Sequence, residues 1–435
     1  MKYVRFSLFI MLALLSACKV APVAEPVASG DLEFDVCPAA HSLPDARRAF
    51  QGLDGWFFFN HDFRETYEIM APGQSDFVVQ LSRAFATQGV LLVVVPVPGR
   101  GAIRPAALYL DDPKQAAYSP TVARANYDAY ISTLEQNGVA AVDVMAVATA
   151  FDTSGGQTFF KRDLHWTPEG SNAVAQVTAE RIRRTIDKPL AKAQLTLSRN
   201  PYDKTHPGRF INNWLYSTCR ITLPPEPLGD YTVSRSPADV QTAEVVQAGS
   251  SFGGSPFDQG FLGVALQSEV ANVSVGNGGV FFALESCLQT RSYRKERPRV
   301  LVWEYPVGAQ ALSRAAQRRL LAGTYGTCGG NDVNFEWLGT AKSRVIYPDN
   351  PVDAAEHYLT LSFSDLSLLH FSVTLGYGGG LEEVLEFNRP EQTAEQNQGR
   401  FFTTLLDTSV ELESVALEVP TAAKGQVTVQ VCRNP

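Results

Sequence analysis

The run GVLLVVVPVPG at 89–99 is apolar on both of its alternating sets of positions. A strand with one wet face alternates apolar with polar residues. A strand apolar on both faces must be covered on both. VAAVDVMAV (139–147), AEVVQAG (243–249), EVANVSVG (269–276) and RVLVWEYP (299–306) read as further strands. Helical patterns lie between them. One runs from Ser75 to Thr87, with Ser75 as N-cap. Another runs from Pro168 to Ile186 and puts Ala175, Ala179, Ile182 and Ile186 on one face. Strands alternating with helices predict an α/β domain from Cys37 to about Thr327, built on a largely parallel sheet. Ligands of such sheets bind at the carboxyl ends of the strands.

From Cys328 to Pro435 the texture changes. TLSFSDLSLLHFSVTLGYGGG and VTVQVC form β-rich blocks separated by glycine clusters, which predict an all-β sandwich. Counted from Thr327, this module carries six Lys or Arg (Lys342, Arg344, Arg389, Arg400, Lys424, Arg433) against fifteen Asp or Glu. A surface so acidic repels a polyanion over most of its area. A local strip of Trp337, Lys342 and Arg344 is the candidate carbohydrate contact, and Tyr347, Tyr358 and Tyr377 are either sugar platforms or core.

The first residues are a processing signal rather than part of the fold. Lys2 and Arg5 precede an apolar run from Phe6 to Leu15, too short to span a bilayer. Leu15-Ser16-Ala17-Cys18 resembles a bacterial lipobox, which makes 1–18 a lipoprotein signal peptide with Cys18 as the lipidated residue. Residues 19–36, rich in Ala, Pro and Val, read as a tether. Lys19 after the cysteine favours the outer membrane by the same resemblance. The expected location is therefore periplasmic, with the lipid anchor as the sole membrane attachment. The net charge of −8 argues against nucleic acid as a partner.

Export permits disulfides. Cys328 and Cys432 bracket the β module, and Cys37 paired with Cys219 would pin the N-terminus to the α/β domain. Cys287 then stays free in the apolar context FFALESCL, although sequence alone does not fix the pairings. The cysteines lack the close spacing of a zinc site, and His41, His61, His206, His357 and His370 lie far apart, so neither a metal nor a cofactor is expected.

The chemistry concentrates in KRDLHWTPEG (161–170). Thr167 is a good N-cap, Pro168 suits the first helical position and Glu169 complements the helix dipole. Asp163 and His165 therefore lie in the loop feeding a helix. Their spacing lets the carboxylate hold one imidazole nitrogen while the other faces a cleft, as a base and its orienting group do. A nucleophile would complete the set. In AEVVQAGSSFGGS (243–255) a strand runs into a small-residue turn carrying Ser250 and Ser251.

Together these segments resemble the AlgX/AlgJ family of bacterial polysaccharide O-acetyltransferases, whose catalytic domain is SGNH-hydrolase-like. GLDGWFFF (52–59), PVPGRG (96–101), FFKRDLHWTPEG (159–170) and AGSSFG (248–253) carry the resemblance, which spans 37 to about 310. The appended β module, as a carbohydrate-binding-like sandwich, is the AlgX-type arrangement, and the bracketing cysteines resemble AlgX-type disulfides. The resemblance implies Ser251 as nucleophile, His165 as general base and Asp163 as its orienting group. It implies the Ser251 N–H as an oxyanion donor, with Gly276 or Asn277 in VGNGG (275–279) as a second. Arg100 is the candidate partner for a glycan carboxylate or hydroxyl. The family continues W-E-x-P with E-R-Y; here WEYP is followed by Val307, Gly308 and Ala309, and Tyr305 is the candidate replacement. The implied activity is acetyl transfer to an exported polysaccharide, alginate or a less charged glycan. The acetyl donor would come from a membrane acetyl-transfer partner within a polysaccharide secretion complex. Acetyl-ester hydrolysis and a non-catalytic scaffold role are the alternatives.

Overall fold

The computed structural model describes residues 35–435 apart from position 202, position 327 and the segments 237–241, 277–280, 309–310, 329–332, 339–342, 349–351, 390–396 and 420–425. The expected signal peptide, Cys18 and nearly all of the tether lie outside the described residues, as do Asn277 and Lys342. Among the described residues no helix is long and apolar enough to cross a membrane.

Five parallel strands form the central sheet, in the order Val270–Asn272, Val245–Ala248, Val300–Pro306, Leu91–Val97 and Ala140–Ala141. The two long central strands pair from Val300 opposite Leu91 to Pro306 opposite Val97. Leu92, Val93, Val94 and Val95 are buried, as are Leu301, Val302 and Trp303. Full burial of one such aliphatic or aromatic side chain contributes roughly 1.5–3 kcal/mol, so this pair of strands anchors the domain.

Two expected boundaries change. The segment 139–147 is a strand only at Ala140–Ala141; Val144–Thr153 is a helix. Asp143 causes the switch by accepting the Ala146 N–H at 2.7 Å as an N-cap. The first long helix starts at Pro72, and Ser75 is inside it, donating its hydroxyl back to the Pro72 carbonyl at 2.9 Å. Thr167 does cap its helix, Pro168–Thr185, by accepting the Gly170 N–H.

The C-terminal segment forms two antiparallel sheets. One orders Val333–Leu338, Gln426–Arg433, His357–Phe363 and Arg400–Thr404; the other orders Ser343–Ile346, Glu411–Glu418, His370–Tyr377 and Leu381–Asn388. Val427, Val429 and Val431 alternate inward with Leu359, Leu361, Val373, Leu375, Val415 and Leu417, giving this sandwich its own core. Tyr358 and Tyr377 are buried and so are not sugar platforms, whereas Tyr347 is 69% exposed. The helix Arg314–Tyr325 joins the two modules, with Arg318 donating to the Thr404 carbonyl and Ala322 packing beside Tyr358 and Phe402. Disulfides join Cys37 to Cys219 and Cys328 to Cys432, and Cys287 is buried and free.

Candidate active site

Two short segments converge at the carboxyl ends of the central strands. The strand Val245–Ala248 ends in Gly249 and Ser250, and Ser251 opens a single turn of helix to Gly253. Gly249 is required there because a Cβ would stand 2.5 Å from a Glu304 carboxylate oxygen. The loop before Pro168 brings His165 to the same place. Its Nε2 lies 2.7 Å from Ser251 Oγ. Its Nδ1 lies 2.5 Å from Asp163 Oδ1, which also accepts the His165 backbone N–H at 3.1 Å. The two-residue spacing thus folds the carboxylate back onto the ring that follows it.

Charge decides the proton positions. Burial alone would raise the Asp163 pKa, but hydrogen bonds from His165 and then His206 outweigh it and hold the carboxyl well below its ordinary range. An ionised carboxylate accepts only, so Nδ1–H of His165 donates to it, and Nε2, when it carries no proton, accepts from the Ser251 hydroxyl. Phe257 stacks flat on the His165 ring at 4.0 Å, and Trp166 Nε1 donates to the Phe252 carbonyl at 2.9 Å, tying base loop to serine turn. Ser251 lines a cleft of about 310 Å³ together with His61, Leu164, Phe210, Pro306 and Gly308. Gly308 stands against His61, where an added Cβ would be 3.5 Å from His61 Cβ.

The other serine has a different partner. Ser250 is buried and donates its hydroxyl to Glu304 at 2.9 Å, while its N–H donates to the same carboxylate at 2.8 Å. Gly253 adds a third donor at 3.1 Å. Burial pushes the Glu304 pKa up to about 7, although the bonds from Ser250 and Gly253 pull it down. Between its ordinary value of 4.5 and about 7 the folded protein keeps a proton that the unfolded chain has lost. Stability contributed by that proton is full below the lower value and is lost as pH rises through the upper one. Glu304→Gln should therefore reduce the stability drop between about pH 5 and about pH 8 by roughly 2–3 kcal/mol, read from urea unfolding at each pH. An unchanged slope would show that Glu304 stays ionised throughout.

Gly276 stands next to the nucleophile turn, where an added Cβ would be 3.9 Å from Ser251 Cβ. Among the described residues neither the Ser251 nor the Gly276 N–H has an acceptor.

Two candidates take other roles. Arg100 is only 1% exposed. It pairs with Asp62, Nη2 to Oδ2 at 2.6 Å, and donates to the carbonyls of Asp163, Phe57 and Phe160 at 2.7, 2.9 and 3.2 Å. Its donors are spent on the protein, so it holds the base loop rather than a glycan. Tyr305 is fully buried against Trp303 and shares a 2.7 Å hydrogen bond with Tyr130, which makes it core rather than a replacement for the missing tyrosine. Trp337 lies on the strand Val333–Leu338, and Arg344 is exposed on Ser343–Ile346. Asp62, His206 and Glu226 have no role in the sequence reading, and Glu304 enters it only as part of WEYP. Each acts on a residue at least 38 positions away.

A parallel sheet with a serine at one strand end and a histidine-bearing loop beside it is an arrangement that SGNH-hydrolase-like domains share with other α/β hydrolases. The chain belongs to the family described as SGNH hydrolase-like domain, acetyltransferase AlgX, whose profile matches residues 49–307. The alginate biosynthesis protein AlgX of Pseudomonas syringae pv. tomato is 22% identical over 464 aligned positions, covering 97% of this chain and 94% of that protein. The probable alginate O-acetylase AlgJ of Pseudomonas aeruginosa is 26% identical over 278 positions, 59% of this chain and 68% of that one. The solved structure of Pseudomonas aeruginosa AlgX shares the fold, with a TM-score of 0.80 at 21% identity over 92% of this chain and 99% of that one.

Proposed function

We propose that this protein is an O-acetyltransferase acting on hydroxyls of an exported polysaccharide, with Ser251 as nucleophile. The observation that carries the reading is the hydrogen-bonded series from Ser251 Oγ through His165 to Asp163 at the wall of an open cleft. In the first half-reaction His165 Nε2 takes the hydroxyl proton as Ser251 Oγ attacks the acetyl carbonyl of the donor. The N–H groups of Ser251 and Gly276 stabilise the oxyanion. The proton passes to the leaving group, and the acetyl group stays on Ser251. In the second half-reaction a sugar hydroxyl gives its proton to His165 and attacks the acetyl carbonyl, which frees Ser251 Oγ to take the proton back. Asp163 keeps the ring in one tautomer and balances the imidazolium.

Relatives named for alginate biosynthesis support alginate or a related glycan as the acceptor class. The fifteen acidic residues of the sandwich favour a less charged chain. The lipobox-like N-terminus and two disulfides support a periplasmic enzyme held by a lipid at the outer membrane. There a membrane partner would deliver the acetyl donor within a secretion complex.

The test is mass spectrometry of manuronate and neutral oligosaccharides incubated with an activated acetyl ester and a soluble form beginning at Cys37. Acetylated sugar together with an acetylated Ser251 peptide is the expected result. Free acetate without acetylated sugar would replace transfer by ester hydrolysis, because water and sugar compete for the same intermediate. Neither product would leave a glycan-binding scaffold.

A further inference from the structure

His206 belongs to none of the motifs that mark the site, yet its Nε2 lies 3.0 Å from Asp163 Oδ2, the oxygen that His165 does not use. It ends the short strand Lys204–His206, which pairs antiparallel with Glu226–Leu228 and sets His206 opposite Glu226. Glu226 grips the same loop. Its two carboxylate oxygens accept the backbone N–H groups of Lys161 and Arg162 at 3.0 and 2.8 Å. One register pair therefore holds three consecutive residues, 161 to 163. The His206 ring is 7% exposed and lies against Phe160 at 4.4 Å. Its edge meets Phe257, the ring stacked on His165.

We propose that His206 is a positioning residue for the acetyl-transfer site, fixing the Asp163 carboxylate from the side opposite His165. The proposal rests on the reading of Ser251 and His165 given above. A carboxylate bonded through one oxygen can still turn about its Cβ–Cγ bond and carry the imidazole with it. A donor on the second oxygen removes that freedom. At 3.0 Å the nitrogen stands within reach of a buried anionic oxygen, although its N–H is not yet aligned on that oxygen as a hydrogen bond. Because Asp163 only accepts, His206 must present Nε2–H to it. The required feature is then an N–H at that place, not an aromatic ring and not a positive charge.

This separates positioning from packing. Glutamine carries its amide nitrogen the same number of bonds from Cα as histidine carries Nε2, whereas asparagine is one bond short and phenylalanine keeps only the ring. In the full chain, His206→Gln should retain kcat within about threefold of wild type. His206→Phe and His206→Asn should lower kcat by roughly 10- to 100-fold with the donor KM within twofold, as expected when a reacting group is slightly misplaced. Wild-type turnover in His206→Phe, or equal losses in His206→Gln and His206→Phe, would overturn the proposal. A second readout is the strongly downfield Nδ1–H proton signal of His165 in NMR. It should persist in His206→Gln and broaden or vanish in His206→Phe. If the wild type turns over no acetyl ester, the reading of Ser251 fails, and the NMR comparison still decides His206: a signal kept in His206→Phe counts against it.

Discussion

Ser251→Ala should lower acetyl transfer by roughly 10⁴- to 10⁶-fold, and adding His165→Ala should lower it little further. In the proposed mechanism the two groups act as one device, so removing either should remove nearly the whole benefit. What remains would belong to substrate binding and to the proposed N–H donors at Ser251 and Gly276. The fold should hardly respond. Ser251 is partly exposed, and among the described residues its hydroxyl bonds only to His165, so the alanine forfeits about 1 kcal/mol at most. The measurement pairs oligosaccharide acetylation with a search for acetyl on the Ser251 peptide, using thermal unfolding as the control for structure. A Ser251→Ala protein within tenfold of wild type would mean that the acetyl group travels by another atom. The neighbouring hydroxyl is poorly placed to be that atom, because Ser250 is buried and donates to Glu304.

The residues that sequence alone could reach are those whose chemistry is local. Asp163 and His165 are two positions apart and precede a capped helix, and Ser251 follows a buried strand, so short windows contain each of them. The parallel sheet was legible for the same reason: strands covered on both faces leave continuous apolar runs. The segment 139–147 misleads because an apolar run suits a buried strand and a buried helix equally, and one hydrogen bond from Ala146 to Asp143 decides between them. Partners joined only by the fold leave no such window. Arg100 shows the limit well. Its position at a strand end beside the cleft is visible in PVPGRG, but its partner Asp62 is 38 residues away. Without that carboxylate a strand-end arginine reads as a substrate ligand. With it, the same side chain is part of the frame.

Those two roles for Arg100 predict opposite outcomes for Arg100→Met. A substrate ligand would be lost as a rise in acceptor KM with stability intact. A frame residue would be lost as stability. Methionine leaves Asp62 buried at 1% exposure without its counter-ion, and leaves the carbonyls of Phe57, Phe160 and Asp163 without their donor. Breaking one side of a buried ion pair costs roughly 3–5 kcal/mol, and that is the loss expected at neutral pH in chemical denaturation. Burial raises the Asp62 pKa, and the Arg100 charge is what holds it down. Without Arg100 the carboxyl takes up a proton more readily, so part of the loss should be regained as pH falls. Asp62→Asn combined with Arg100→Met should likewise regain part of it, because the isolated charge is gone while the Phe59 N–H keeps an acceptor. Arg100→Lys should not rescue, since one ammonium cannot reach two carboxylate oxygens and three carbonyls at once. An Arg100→Met protein of wild-type stability and raised acceptor KM would return this arginine to the glycan.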